Sequence, residues 1–212
     1  MVIKVTSYFH AGHLYEIASK AARSKAKKSD NTIVAIMFCA SALEAFINES
    51  SGVARTIPSA DKQRLVEGYA SVMGELEDRK ESLIAKYQMA LLIFSGEVWN
   101  KGDTTFQDLR LLITIRNDIV HMKTDEWKTA VGSNKPDPER GIEQYPKYIK
   151  TLQEKRLIDP PSKSQSWLEA ICDQRVSLWA CRTAAKITTD FAAAAPSGRF
   201  KESLQNQAFQ MP

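Results

Sequence analysis

An all-α fold, a bundle of four main helices interrupted by a helical insertion and a proline-rich insertion, is what this 212-residue sequence predicts. Three observations carry that expectation. Apolar residues recur at helical spacing, most clearly at Ile36, Ala40, Leu43 and Ile47. Residues that cap helix N-termini precede several of these segments. No segment sustains the apolar–polar alternation of a half-buried strand.

The elements follow in order. About Tyr8 to Lys28 is helix-compatible and ends in the basic run Arg23, Lys25, Lys27 and Lys28, with Ser29-Asp30-Asn31 as a break and cap. The second helix adds Ile33, Met37 and Phe46 beside its main stripe and is expected to stop near Gly52. Arg55 to Ser59, with Pro58, reads as a linker. Asp61 to about Phe94 reads as helix, with a break expected near Gly74, a charge-rich solvated middle (GELEDRKES) and an apolar end from Tyr87. Gly96 to Asp103 is a loop.

Thr104-Thr-Phe-Gln107 fits a capping box, opening a helix with Leu109, Leu112, Ile113, Ile119 and Val120 on one side. Between about Thr124 and Ser164 lie five of the eight prolines, Pro136 to Pro161, and one short helix is expected near Tyr148 to Arg156. Such long connections are usually functional or disordered. A last helix is expected over Ser166 to Ala194, opened by the capping box Ser166-Trp-Leu-Glu169. Its buried stripe is Cys172, Val176, Trp179, Thr183 and Ile187. The polar tail after Pro196 is expected to be mobile.

Composition bounds the function. Apolar residues make up 43% and charged residues 25%, an ordinary globular balance, and the net charge of +4 permits an anionic partner without requiring one. Cys39, Cys172 and Cys181 form no C-x-x-C pair, and their odd number argues against a disulfide framework. The opening MVIKVTSYFHAGHLYE carries His and Glu where a signal peptide needs an unbroken apolar core. Met89 to Phe94, taken as the longest apolar run nearby in character, is too short to span a bilayer. A cytoplasmic location is therefore expected.

The chemistry concentrates in Leu109 to Lys123, LRLLITIRNDIVHMK. Position 116 lies one heptad after Leu109, so the stripe predicts an apolar residue there. Arg116 stands in its place. A guanidinium stays charged and is costly to bury alone, so it either snorkels or faces a site that takes an anion. Asn117 and His121 are four residues apart and share a helix face. Arg116 and His121 differ by about 140° on an ideal helix. Bringing both to one point requires the helix to loosen near His121, or a second copy to complete the site across a two-fold axis. The cluster has neither a carboxylate dyad nor metal-ligand spacing, and no cofactor is expected. It does offer what metal-independent RNA cleavage needs. His121 serves as a proton donor and acceptor, Arg116 as a phosphate clamp and Asn117 as an orienting group.

Arg116-Asn117-Asp118-Ile119-Val120-His121 resembles the R-N-x-x-x-H form of the R-x(4–6)-H motif of HEPN domains. In the second helix, Cys39-Ala-Ser-Ala-Leu-Glu-Ala-Phe-Ile-Asn48 is similar to the A-x-x-x-E-x-x-x-N pattern those domains often carry. The resemblance covers about Tyr8 to His121 plus the last helix, as one domain with insertions at about 55–86 and 124–164 and a tail at about 196–212. It implies a HEPN-like helical bundle, usually a homodimer, and often a ribonuclease of toxin–antitoxin or antiviral-defence systems. It also implies RNA as substrate and an antitoxin or regulatory protein as a further partner. The products would be 2′,3′-cyclic phosphate and 5′-hydroxyl ends. A Glu44–Arg116 pair would neutralise the guanidinium and fix its direction, with Asn48 one turn further along the same face.

Other residues have ordinary readings beside functional ones. Arg23, Lys27 and Lys28 suit an RNA backbone, and equally a solvated helix end. Trp127 follows the motif and is a candidate base-stacking residue, whereas Trp179 sits on a buried stripe. His10 and His13 lack the further ligands of a zinc site. Two alternatives stand beside the nuclease reading. One is a non-catalytic HEPN-like module that binds nucleotide, RNA or a partner protein. The other is a helical adaptor that docks through its proline-rich segment.

Overall fold

A computed structural model describes residues 9–24, 30–58, 63–122, 145–162 and 165–212. Every regular element among them is a helix, in the order α1 (Ala11–Arg23), α2 (Asp30–Thr56), α3 (Arg64–Asp78), α4 (Leu83–Ser95), α5 (Thr104–Val120), α6 (Tyr148–Glu154), α7 (Trp167–Ile171), α8 (Gln174–Ala194) and α9 (Arg199–Gln207). Of the expected first segment, only the Ala11–Arg23 part is described helix, and Lys25, Lys27 and Lys28 lie outside the described residues.

The centre is α2. It packs most extensively against α1 and α8 and also touches α3, α4, α5 and α9. Ala35, Ile36, Cys39, Ala40, Ala42, Leu43 and Phe46 on this helix are completely buried. By length and composition α2 is apolar enough to cross a bilayer, so the longest apolar run is here and not at Met89 to Phe94. In this fold its apolar faces are covered by helices instead. Its path also corrects the expected stop at Gly52. The helix continues to Thr56 because Val53 and Ala54 beyond the glycine are themselves packed, which outweighs the modest helix penalty of one Gly.

Helices α3 and α4 occupy the stretch between α2 and α5. Their break falls at Arg79–Ser82, not at Gly74. Lys80 adopts a left-handed φ of 55°, and the Ser82 side chain caps α4 by accepting from the Ala85 N–H. Gly96, at φ 75°, ends α4. The expected capping box at Thr104 is replaced by Asp103, whose carboxylate accepts from the Thr105 and Phe106 amides. A short Asp reaches the first-turn N–H groups directly, so no Gln partner is needed.

The expected last helix is two helices. The Ser166–Glu169 box opens α7, but the chain leaves helical geometry at Cys172 and Asp173, and Asp173 caps α8. Cys172 is consequently only half-buried, while Val176, Trp179, Thr183 and Ile187 form the buried stripe. The tail also differs from expectation. It contains α9, and Phe200, Leu204 and Phe209 are buried. Phe209 stacks on Tyr15 at 4.5 Å, and the Tyr15 hydroxyl donates to the Gln210 carbonyl. An aromatic cluster of Phe46, Tyr69, Tyr87, Phe94, Phe191 and Phe200 joins α2, α3, α4, α8 and α9.

The cysteines are free thiols, with Cys39 and Cys181 buried 3.6 Å apart between α2 and α8. The returning chain after residue 144 docks onto α5 through α6. Lys155 pairs with Asp108 at 2.8 Å, and Tyr148 is buried against the same helix, facing Asp118.

Candidate functional site

The site is built where α5 crosses α2. On α5 the buried side runs through Phe106, Leu109, Leu112, Ile115 and Ile119. Leu109, Leu112 and Ile119 of the stripe read from sequence are buried as expected, whereas Ile113 is only half-buried and the place expected at position 116 is taken by Ile115. Ile115 is completely buried, Arg116 sits at the border of the stripe with 29% of its side chain exposed, and Val120 is exposed. Arg116 thus occupies a flank and interrupts nothing, which is why its charge can be accommodated.

Its guanidinium is nevertheless held. Nη2 donates to Oε2 of Glu44 at 3.3 Å, across the α2–α5 interface, and Nη1 donates to Oδ1 of Asn117 at 3.0 Å. The expected Glu44–Arg116 pair is present, and Asn117 adds a second acceptor. Nε is buried with no hydrogen-bond partner. The fork is thereby aimed by two acceptors on different helices, leaving the group one turn before the end of α5.

His121 lies just past that end. The helix stops at Val120, and His121 is the C-cap residue at φ −108°, ψ 30°, its backbone N–H bonded to the Asn117 carbonyl. The imidazole is exposed and flanked by the exposed apolar residues Val120 and Met122. Among the described residues no hydrogen bond links the imidazole to Arg116 or to the Asn117 side chain. The loosening that a one-chain site requires is present in the backbone at this C-cap. Asp118, the third residue of the motif, faces Tyr148 of α6. Burial first, and then this carboxylate, raise the tyrosine's pKa.

Asn48 belongs to a different group from the one expected. Its Oδ1 accepts from Nζ of Lys86 at 3.1 Å, and Lys86 also contacts the Glu77 carboxylate closely. Lys86 is only 5% exposed. The charge-rich middle of the third segment is thus not wholly a solvated face, because Glu77 neutralises a buried ammonium. Ile47, Ser51, Arg55 and Met73 complete a hollow of about 210 Å³ around these groups. Lys86, Glu77, Ser51 and Arg55 do not stand out in the sequence as members of a site. The available signal was a lone Lys inside the apolar run Leu83-Ile84-Ala85-Lys86-Tyr87.

The remaining candidates separate. Arg23 is exposed, and its Nε donates to the Ser19 carbonyl of its own helix, an ordinary C-terminal arrangement. Lys27, Lys28 and Trp127 lie outside the described residues. His10 and His13 are exposed, and the His10 backbone N–H donates to Glu49. Among the described residues no cluster of three metal-ligating side chains occurs.

No family model, curated protein or solved structure matches this chain.

Proposed function

We propose that this chain is a metal-independent endoribonuclease with a HEPN-like four-helix bundle, acting as a homodimer. The observation that carries the reading is the Arg116 fork. It is steered by Glu44 and Asn117 to the end of α5, one turn from the exposed His121. A guanidinium fixed by two acceptors presents its remaining N–H groups to the oxygens of a phosphate and stabilises the charge that grows on them. An exposed imidazole near neutral pH takes the proton from the 2′-hydroxyl or gives one to the leaving 5′-oxygen. Attack of that 2′-oxygen on the phosphorus forms the 2′,3′-cyclic phosphate while the bond to the 5′-oxygen breaks.

No hydrogen bond joins Arg116 to His121 within one copy, and a second copy is taken to complete the site. Val120 and Met122, exposed apolar residues on either side of His121, suit burial between copies. A toxin or defence role, a cytoplasmic location and control by an antitoxin are consistent with such an activity and belong to the same proposal.

The lack of a hydrogen bond between Arg116 and His121 favours one second reading, a non-catalytic module that binds nucleotide or RNA through Arg116 alone. Incubating purified protein with RNA, with and without EDTA, separates the two. The nuclease reading expects cleavage that survives EDTA, leaves 2′,3′-cyclic phosphate ends and disappears in His121→Ala. Cleavage that needs a divalent ion, or persists in His121→Ala, overturns it. Binding without cleavage, weakened by Arg116→Ala, selects the second reading.

A further inference from the structure

The layer between α2 and α8 holds two thiols that none of the chemistry above uses. Cys39 lies in the first half of α2 and Cys181 in the first half of α8, and both are completely buried. Their sulfurs are 3.6 Å apart, with the Cys39 thiol donating to Cys181. A disulfide forms at about 2.05 Å, so the sulfurs need to approach by about 1.5 Å, a distance that side-chain rotation and a small helix shift supply. Cys172 is set apart from them. It is half-buried at the end of α7, its thiol donates to the Leu168 carbonyl at 3.1 Å, and burial raises its pKa to about 11.

The pair is asymmetric in a way that suits reaction. Burial pushes the Cys39 thiol well up. The hydrogen bond that Cys181 receives from Cys39 lowers the Cys181 pKa, burial opposing it and the positive charge of Arg23 adding to it. The thiolate is the reactive form, so Cys181 is the sulfur that attacks first. There is also a route toward it. A cavity of about 530 Å³ opens between α1 and the chain that follows α9, with Tyr15, Ser19 and Arg23 among its lining residues. The Tyr15 hydroxyl donates to the Cys181 carbonyl at 3.2 Å, so one side chain links the cavity wall to the backbone of the reactive cysteine.

We propose that Cys39 and Cys181 form a redox-sensitive bolt, in which a peroxide converts the pair to a disulfide tying α2 to α8 and a thiol reductant reverses it. The Cys181 thiolate attacks one peroxide oxygen. The O–O bond breaks, hydroxide leaves and takes a proton to become water, and Cys181 is left as a sulfenic acid. The Cys39 sulfur then attacks the Cys181 sulfur. The S–S bond forms, and the hydroxyl departs with the Cys39 proton as a second water. The two thiols lose two electrons, and the peroxide is reduced to two waters. The bonded cysteines are 142 positions apart, so the unfolded chain would carry a long closed loop, the case in which a cross-link stabilises most. Helix α5 packs against both α2 and α8, so the bolt joins the two helices that support Arg116. It stands independently of the nuclease reading.

The test treats reduced, folded, full-length protein with hydrogen peroxide, a small neutral oxidant. Intact mass should fall by about 2 Da, two hydrogens for one disulfide. Peptide mapping without reductant should show the Cys39 peptide joined to the Cys181 peptide. The Tm should rise by roughly 5–15 °C, and dithiothreitol should return it to the starting value. Cys172→Ala is expected to behave as the wild type. Cys39→Ala and Cys181→Ala are each expected to lose both the cross-link and the rise in Tm. If either variant proves unstable, the peptide map of the wild type decides alone. A cross-link through Cys172 or between two chains, oxidation that occurs only after unfolding in urea, or a Cys39–Cys181 link that leaves Tm unchanged overturns the bolt.

Discussion

Replacing Glu44 by Gln separates what the α2–α5 ion pair does for stability from what it does for the site. The Arg116 and Glu44 side chains are 29% and 48% exposed, and the contact is 3.3 Å. Two charges at about 4 Å attract by ~4 kcal/mol at an effective dielectric of 20. Pairs this open to water retain only about 0.2–1 kcal/mol after screening and side-chain ordering. Glutamine keeps an acceptor oxygen, so the loss should fall near the top of that range at most. In a protein of this size a change of about 1 kcal/mol moves Tm by roughly 2–4 °C. The same substitution frees the guanidinium to turn toward solvent, so RNA cleavage should fall by about tenfold or more, as expected when a hydrogen bond that fixes a charged group is weakened. Thermal melts beside initial cleavage rates measure both. A drop in Tm beyond about 10 °C would mean that the pair is structural. Unchanged cleavage would mean that Glu44 does not aim Arg116.

Three further outcomes follow from the fold. Phe209→Ala removes a ring that stacks on Tyr15 and meets Phe46 edge-on, and should destabilise by about 3–5 kcal/mol in urea unfolding; a loss below ~1 kcal/mol would restore the idea of a loose tail. Gly68→Ala, mid-helix in α3 with nothing within 4 Å of the new Cβ, should stabilise by about 0.5–1 kcal/mol in the same assay, and a destabilisation would contradict the helix assignment there. Asp173 has its pKa lowered, chiefly by the Arg175 side chain and further by the backbone N–H it caps. A depressed carboxyl pKa contributes stability that is present above the unfolded-chain value of about 3.9 and lost as pH falls through the lower folded value. Asp173→Asn should therefore flatten the acid limb of stability below about pH 4, and an identical acid limb in the variant would refute the coupling.

Much of the helical framework was legible because its signals are local. The Ile36–Ile47 periodicity, the Ser166 box and Gly96 each act within a turn or two of their own position. The misreadings have tertiary causes or turn on a single capping Asp. Gly52 does not end α2 because residues beyond it are packed. The tail is ordered because Phe200, Leu204 and Phe209 find a cluster assembled from four distant helices, and three apolar residues in a polar stretch give no local sign of that. Cys172 falls outside the α8 stripe because Asp173 restarts the helix, and an Asp cap looks much like a surface Asp in sequence.

At the candidate site, spacing singled out Arg116, Asn117 and His121 as candidates, and the α2 pattern correctly paired Glu44 with Arg116. A one-residue error in the α5 stripe made Arg116 seem a core intruder when it is a border residue. The pairing of Asn48 with Lys86 depends on α4 folding back over α2, a contact between residues 38 apart that no periodicity encodes.

The central claim is that Arg116 and His121 act on one phosphate although a single copy leaves them unlinked. Mixing Arg116→Ala protein with His121→Ala protein, each inactive alone, tests it most directly. A site shared across a two-fold axis predicts that the mixture regains cleavage, since the mixed dimer holds one intact Arg116 facing one intact His121. A mixture as inactive as its components, while the same exchange between wild-type and tagged wild-type copies is demonstrable, would contradict it.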